Sequence, residues 1–251
     1  VLYQLDEISE LATFLQGRAP IDIRVNALRH TRKKLIQRLH RSDIPCWPIE
    51  NTDWGIRIDG RAHLLSLAEY KQGAFEIQDA ASQIFCEQLK LKKGEHVFDF
   101  CSGAGGKALA FASQGATVYA TDPRTHAITE LRKRAQRSRL KIHLSPPSKP
   151  VETVVVDAPC SGSGRLRREP AIRWRWQQQD ILQHCELQRQ LLQEASQHVA
   201  PEGRLIYATC SLLQQENEHP LDGWKKEETT YLWPHRWNCD GFAWTTYRRY
   251  R

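Results

Sequence analysis

The sequence predicts an α/β fold: a mostly parallel, doubly wound sheet with an antiparallel C-terminal strand, preceded by a small α+β module. Two observations predict it. From about residue 73 onward, short apolar runs alternate with helical runs, as in a parallel sheet covered by helices. Several apolar runs end directly in a glycine, acidic or Pro–Cys turn, which is typical of the ligand-binding edge of such a sheet.

Residues 1–72 are predicted to form the small basic α+β module. Residues 21–28 alternate apolar and polar side chains like a half-buried strand, and residues 54–58 resemble another short strand. Residues 31–42 have a helical apolar face, with Thr31 as the N-cap. Methionine is absent, even at position 1, so we expect either an N-terminally truncated module or methionines missing from the written sequence.

Residues 73–251 are predicted to form the main domain. Strands are expected at residues 96–100, 117–122, 141–144, 153–160 and 204–210. Helices are expected at residues 80–91, 107–114, 125–138 and 177–199. Asp79 precedes the first helix as an N-cap should, and residues 241–249 alternate like an edge strand.

Composition favours a basic cytoplasmic protein. The net charge is +7 with a sequence pI of about 9.1, which favours polyanion binding, although an indifferent basic surface is equally compatible. No apolar run approaches the roughly 20 residues of a membrane helix, and no secretory pattern begins the chain. Seven cysteines without a Cys-x-x-Cys pair indicate reduced, mostly buried thiols, and ten histidines without ligand spacing indicate no metal site.

Three features at predicted strand ends indicate a cofactor site. They are the glycine turn at residues 103–106, Asp122 and Asp157. A phosphate loop would need other residues at Cys101 and Ala108, and a dinucleotide fingerprint would need glycine at Ala108, although alanine is tolerated there. A nucleoside-type cofactor without a pyrophosphate, such as S-adenosylmethionine, therefore remains, beside the plainer reading of a tight strand–helix turn.

Cys160 and Cys210 each follow a predicted strand. Parallel strands deliver both thiols to the same sheet edge, and Cys160 lies beside Asp157 in an Asp-Ala-Pro-Cys turn. Either cysteine alone would be read as an ordinary buried thiol. Two such thiols in neighbouring loops indicate chemistry instead.

Six motifs resemble a known family. They are FEIQDAASQ (75–83), FDFCSGAGGK (98–107), DAPCSGSG (157–164), YATCS (207–211), ENE (216–218) and PHRWNCDGF (234–242). Together they resemble the bacterial Sun/Fmu-type and Nop2/Sun-domain RNA cytosine-5 methyltransferases, from about residue 20 to the end. Within that family the likeness is closest to ribosomal RNA enzymes. The resemblance implies a Rossmann-like methyltransferase sheet, S-adenosylmethionine as cofactor and RNA, favouring 16S ribosomal RNA, as substrate.

The resemblance also implies roles for the two thiols. Cytosine C5 is too weak a nucleophile to take a methyl group directly, and thiolate addition at C6 makes it an enamine. Cys210 is then the nucleophile and Cys160 assists product release. Asp157, in protonated form, would hydrogen-bond the N3/N4 edge of cytosine, and Lys107 or a nearby arginine would stabilise the thiolate.

The resemblance assigns cofactor contacts as well. The residues expected to line the cofactor are Cys101, Ser102, Gly103, Ala104, Gly105, Lys107, Asp122, Arg124 and Asp157, with Asp122 on the ribose. Two departures stand out. Ala104 replaces the proline usual in this loop, and residues 144–150 offer no acid or amide for adenine.

An arginine-rich segment follows Cys160 and is expected to bind RNA. Its members are Arg165, Arg167, Arg168, Arg173, Trp174 and Arg175. We expect at least one of Trp174 and Trp176 to pack against the following helix instead. A second cluster, which we expect to be a solvated helix face, is Arg132, Lys133, Arg134, Arg137 and Arg139. A third, in the N-terminal module, is Arg29, Arg32, Lys33, Lys34, Arg38 and Arg41.

Three alternatives stay open at this point. The enzyme could act on transfer RNA or another nucleic acid, and in a DNA-type enzyme Cys160 would be the nucleophile. The chain could also be a catalytically silent RNA-binding assembly factor, although such a protein needs neither thiol. A monomer is expected.

Overall fold

A computed structural model describes residues 8–250. The helices are α1 Ile8–Gln16, α2 Arg32–Arg41, α3 Ala68–Lys71, α4 Ala80–Gln88, α5 Gly106–Ser113, α6 Thr125–Ser138, α7 Gln178–Ser196, α8 Gln214–Asn217 and α9 Pro234–Trp237. The strands are β1 Ile21–Val25, β2 Cys46–Pro48, β3 Gly55–Ile58, β4 Phe75–Ile77, β5 His96–Asp99, β6 Thr117–Ala120, β7 Ile142–His143, β8 Val151–Asp157, β9 Val199–Thr209, β10 Trp224–Lys226, β11 Thr230–Leu232 and β12 Phe242–Arg249. None of the helices within residues 8–250 is long and apolar enough to cross a membrane.

The chain divides into two compact units. The glycine-loop unit comprises residues 20–96 and 102–146. The cysteine unit comprises, among the described residues, 8–19, 97–101 and 147–250. The domain boundary expected at residue 72 stays a prediction.

The first part of the glycine-loop unit is an antiparallel sheet in the order β2-β3-β1-β4. The apolar face of α2 packs on it through Leu35 and Leu39, which are buried with Ile23 and Ile56. Thr31 caps α2, since its hydroxyl accepts a hydrogen bond from the backbone N–H of the residue three positions on. The predicted strands, helix and cap of this region are therefore confirmed.

The rest of the glycine-loop unit alternates helices and strands. The Asp79 side chain caps α4 by accepting the Ala81 N–H at 2.8 Å, as predicted. Strands β6 and β7 pair in parallel, and α5 and α6 lie at the predicted positions.

The cysteine unit contains strands in the order β10-β12-β9-β8-β5, with β11 also paired to β12. The pairs β5–β8 and β8–β9 are parallel, whereas β12 is antiparallel to β9, as the sequence predicted. Helix α7 packs against β8 and β9. Val154, Val155 and Val156 of β8 are all buried, so both faces of this strand are covered. This explains why its sequence is a continuous apolar run rather than an alternating one.

The prediction that residues 241–249 form an edge strand is wrong. Strand β12 has β9 on one side and β10 and β11 on the other. Its alternation reports which face of the strand is buried, with Thr245 and Tyr247 fully covered. That pattern says nothing about how many neighbours a strand has, and β10 and β11 are too short and polar to be recognised beforehand.

Candidate active site

The Cys160 and Cys210 side chains meet. Their sulfur atoms lie 3.5 Å apart, within hydrogen-bonding distance for sulfur. The contact follows from the sheet, because β8 and β9 are parallel neighbours with Asp157 opposite Ala208 in register. Each strand ends at that level, and the two loops leave side by side. Asp157 is half-buried at the end of β8.

Burial separates the cysteines into two groups. Cys46, Cys86, Cys185 and Cys239 are buried, as expected for structural thiols. Cys101, Cys160 and Cys210 are half-buried, and these are the three cysteines placed in the predicted site.

Glycines bring the two cysteine loops close to the C-terminal Asp-Gly-Phe motif. The Gly164 N–H donates to the Cys210 carbonyl at 2.9 Å, and the Gly241 N–H donates to the Gly164 carbonyl at 2.8 Å. A Cβ on Gly164 would lie 2.3 Å from the Gly241 carbonyl oxygen, so no other residue fits. Gly162 has φ +70°, a left-handed conformation that favours glycine.

Glu216 lies beneath both cysteine loops and is fully buried. One of its oxygens accepts the Ser161 N–H at 2.8 Å and the Gln188 side-chain amide at 3.3 Å. The other accepts the hydroxyls of Ser161 at 2.6 Å and of Ser211 at 2.5 Å. Ser161 directly follows Cys160 and Ser211 directly follows Cys210, so one carboxylate joins both loops.

Further side chains complete this network. The Ser163 hydroxyl lies 3.1 Å from that of Ser211 and accepts the Leu212 N–H at 2.9 Å. The Asn217 amide donates to the Ser211 carbonyl at 2.9 Å, and its oxygen accepts the Thr209 hydroxyl at 2.5 Å. From the sequence, residues 216–218 were recognisable only as a motif and the serines were not predicted, although a serine directly follows each cysteine.

The environment favours the protonated form of Cys160. Its hydrogen bond with Cys210, its burial and the negative charges of Cys210 and Glu216 together raise the pKa of the Cys160 thiol well above its ordinary value. A protonated Cys160 can donate a hydrogen bond to the Cys210 sulfur, 3.5 Å away.

In the glycine-loop unit, the glycine turn and Asp122 contact each other. The Gly103 N–H donates to Asp122 Oδ2 at 2.9 Å, and Gly103 and Gly105 both have positive φ. The guanidinium of Arg124 covers the carboxylate with contacts of 2.8 and 2.9 Å. Partial burial would raise the pKa of Asp122, but the hydrogen bonds from Arg124 and Gly103 outweigh it and lower that pKa. Lys107 is half-buried in the first turn of α5.

The second basic cluster only partly matches the expected solvated face. Arg134 and Arg137 turn inward and form ion pairs with the buried Glu76 of the FEIQDAASQ motif. Arg134 also donates to the Ala104 carbonyl of the glycine turn at 2.7 Å. The expectation is therefore wrong for these two arginines, because a buried carboxylate 58 to 61 positions away neutralises them.

Most of the arginine-rich segment already has protein partners. Arg165 and Arg175 pair with Glu169, Arg168 pairs with Asp240, and Arg167 contacts Asn238. Arg173 differs from them, since its side chain is exposed and forms no hydrogen bond or ion pair with a side chain or backbone group of residues 8–250.

The two tryptophans after this segment have opposite environments. Trp176 donates its indole N–H to the Ser161 carbonyl at 2.6 Å and stacks edge-on against His184 of α7. Trp174 is 85% exposed. The expectation that at least one of them packs against the following helix is confirmed. Trp174, Arg173 and Arg167 line a cavity of about 420 Å³ beside Gly17.

The residues of the glycine-loop unit fit S-adenosylmethionine. A Cβ placed on Gly103 would meet only the end of the Arg124 side chain, at 3.6 Å, so a ligand can approach the backbone there. The turn leads directly into the N-terminus of α5, which presents backbone N–H groups. The Asp122 carboxylate lies beside this turn, with Oδ2 2.9 Å from the Gly103 backbone nitrogen.

A mostly parallel sheet with a glycine turn, an acid after the next strand and paired strand-end thiols defines the class: a Rossmann-like, S-adenosylmethionine-dependent methyltransferase. The family model described as "16S rRNA methyltransferase RsmB/F" matches residues 86–230, and a model of the ferredoxin-like domain of the same proteins matches residues 3–64. The chain belongs to the RsmB/F methyltransferase family.

Named relatives and solved structures agree with this assignment. The chain is 31% identical over 216 residues to ribosomal RNA small subunit methyltransferase B of Cronobacter sakazakii, covering 81% of this chain and 50% of that protein. It is 28% identical to the probable methyltransferase B of Synechocystis, covering 96% and 56% respectively. The chain thus spans about half the length of these relatives.

Two crystal structures share the fold. The chain resembles PH0851 with a TM-score of 0.91 and 27% identity, covering 98% of this chain and 63% of PH0851. It resembles NSun6 from Pyrococcus horikoshii with a TM-score of 0.86 and 16% identity, covering 100% and 96%. The second likeness concerns the fold alone.

Proposed function

We propose that this chain methylates C5 of a cytosine in RNA, favouring 16S ribosomal RNA, through a covalent adduct between Cys210 and C6 of the base. The contact between the Cys160 and Cys210 sulfurs at the ends of neighbouring parallel strands carries this proposal. The names of the relatives support ribosomal RNA as the substrate.

The chain's own residues perform the steps around the base. The Cys210 thiolate forms a bond to C6, and the C5=C6 electron pair shifts to C5 while Asp157 hydrogen-bonds the N3/N4 edge. S-adenosylmethionine, when bound, would supply to C5 a methyl group made electrophilic by its sulfonium sulfur; the methyl–sulfur bond breaks and the sulfur leaves as a neutral thioether. A base then removes the C5 proton, the C5=C6 bond re-forms, and the C6–sulfur electron pair returns to Cys210.

Cys160 is placed to assist this last step. Its sulfur lies 3.5 Å from the sulfur that must leave, and a hydrogen bond from the Cys160 thiol would stabilise the negative charge that the Cys210 sulfur acquires. Without Cys160 the adduct should form but be released slowly. We propose that Cys101, Ser102, Gly103, Ala104, Gly105, Lys107, Asp122, Arg124 and Asp157 hold the cofactor.

The RNA surface is proposed to centre on Arg173 and Trp174. An exposed indole can stack an unpaired base, and an arginine without a protein partner can bind a phosphate without breaking an ion pair. We keep four further arginines as proposed RNA contacts, although each already contacts the protein partner described above: Arg165, Arg167, Arg168 and Arg175.

Methyl transfer from labelled S-adenosylmethionine to ribosomal RNA tests the proposal. We expect Cys210→Ala to abolish transfer, and Cys160→Ala to accumulate a protein–RNA adduct that survives denaturing electrophoresis. Cys46→Ala, a buried thiol of the other unit, is the matched control and should remain active.

The other outcomes identify the alternatives. An adduct in Cys210→Ala but not in Cys160→Ala would make Cys160 the nucleophile. Methyl transfer to transfer RNA alone would make transfer RNA, rather than ribosomal RNA, the substrate. No methyl transfer to any RNA by the wild type would favour a catalytically silent RNA-binding factor.

A further inference from the structure

Glu216 is a carboxylate without a cationic partner. Its four hydrogen bonds come from a backbone N–H, an amide and two hydroxyls, and none of the arginines or lysines within residues 8–250 forms an ion pair with it. All four partners can donate to it, and both carboxylate oxygens accept. An ionised carboxylate satisfies all four of these donors.

The same carboxylate fixes the relative position of the two thiols. It contacts Ser161 and Ser211, the residues that follow the two cysteines, and the hydroxyls of these serines lie 3.3 Å from each other. Gln188 extends the network by donating also to the Pro159 carbonyl, just before Cys160, at 2.8 Å. Loss of the carboxylate would release both loops at once.

We propose that Glu216 is a positioning residue that holds the two thiols in contact and, through its negative charge, keeps the proton on Cys160, so that Cys210 acts as the nucleophile. This inference rests on the proposed function for its catalytic meaning. The effect of the Glu216 charge on the protonation of Cys160 does not depend on methyl transfer.

Electrostatics supports the assignment. A fixed negative charge beside Cys160 opposes a second one on its sulfur, and this charge is among the causes that raise the pKa of Cys160. Burial strengthens the effect, because the Glu216 side chain is shielded from solvent and forms no ion pair with a cation within residues 8–250. The proton on Cys160 is then available to the Cys210 sulfur across 3.5 Å.

The test separates charge from position. Glu216→Gln keeps size and shape while removing the charge, and the two serine hydroxyls can rotate to accept the new amide. Glu216→Asp keeps the charge but shortens the reach. The readout is the rate at which iodoacetamide alkylates Cys160 between pH 6 and 9, followed residue by residue by mass spectrometry.

We expect Glu216→Gln to alkylate Cys160 about tenfold faster near neutral pH, corresponding to a pKa lower by about one unit. Glu216→Asp should leave that rate close to wild type. Both variants should lower kcat for methyl transfer at least tenfold, with KM for RNA nearly unchanged. Glu218→Gln, an exposed position of the same motif, is the matched control and should change neither quantity.

Equal Cys160 alkylation in wild type and Glu216→Gln would overturn the inference, as would equal acceleration in both Glu216 variants. If Glu216→Gln does not fold, Glu216→Asp still decides: a Cys160 rate raised tenfold in that variant would contradict the role of charge. A wild type without methyltransferase activity would overturn the proposed function but leave the alkylation result interpretable.

Discussion

Two buried glutamates, one in each unit, stabilise loops that the sequence predicts to be functional, and they use different partners. Glu76 is 4% exposed, and Arg134, Arg137 and Ser138 surround it. Glu216 is fully buried, and its hydrogen-bond donors within residues 8–250 are all neutral. Glu76 reaches the glycine turn indirectly, through the bond from Arg134 to the Ala104 carbonyl.

The difference in partners indicates a difference in role. Two guanidinium groups compensate the charge of Glu76, so its field is largely cancelled and its contribution is to stability. The charge of Glu216 has no such compensation and acts on the neighbouring thiols. The same residue type, buried to a similar degree, thus supports structure in one unit and tunes chemistry in the other.

Replacing Glu76 should give the largest effect on stability. Glu76→Gln leaves Arg134 and Arg137 with an uncharged partner, and we expect the free energy of unfolding to fall by about 3 kcal/mol. Urea unfolding followed by circular dichroism measures it. Glu130→Gln, an exposed glutamate on α6, is the control and should change little. A loss below about 0.5 kcal/mol would contradict the structural role of Glu76.

The pH dependence of that effect has a definite sign. Burial would raise the pKa of Glu76, but Arg134, Arg137 and Ser138 outweigh it and lower the pKa below its ordinary value of 4.5. The stabilisation is therefore complete above that value and is lost as the pH falls through the lower folded-state pKa. The wild type and Glu76→Gln should converge in stability on acidification.

Replacing Asp122 should weaken cofactor binding rather than the stability of the fold. Asp122→Asn removes the charge and one acceptor from the proposed ribose contact, so we expect S-adenosylmethionine to bind about 30-fold more weakly, or about 2 kcal/mol. Isothermal titration calorimetry measures the Kd, with Asp43→Asn, an exposed aspartate, as the control. An unchanged Kd would remove Asp122 from the proposed cofactor site.

Replacing Trp174 should give the smallest effect. Loss of one stacked base costs about 1 to 2 kcal/mol, so Trp174→Ala should bind RNA about tenfold more weakly with unchanged stability. Fluorescence anisotropy with labelled ribosomal RNA fragments measures it. Trp47→Ala, an exposed tryptophan of β2, is the control. If both variants bind alike, the proposed stacking surface is wrong.

The sequence predicts elements whose signals are local. Thr31 and Asp79 cap their helices as expected, and α6 has the predicted bounds, because caps and apolar periodicity act within a few residues. The Cys160–Cys210 contact was also predictable, since parallel neighbouring strands end at one edge.

The features that could not be predicted depend on distant partners. Ser161 and Glu216 are 55 positions apart, and Arg137 and Glu76 are 61 apart, so nothing nearby in the sequence indicates either pairing. Trp174 and Trp176 lie in one Trp-Arg-Trp run, yet one is exposed and the other packs against α7. Only the fold decides between two such neighbours.

The central claim, that Cys210 is the nucleophile, is tested most directly by trapping the wild-type protein on RNA transcribed with 5-fluorocytidine. Fluorine at C5 cannot leave as a proton does, so the adduct persists after methyl transfer. Digestion and mass spectrometry then identify the cysteine that carries the methylated, fluorinated base. We predict the adduct on the peptide containing Cys210. An adduct on Cys160, or methyl transfer to ordinary RNA without any trapped adduct, would contradict the account.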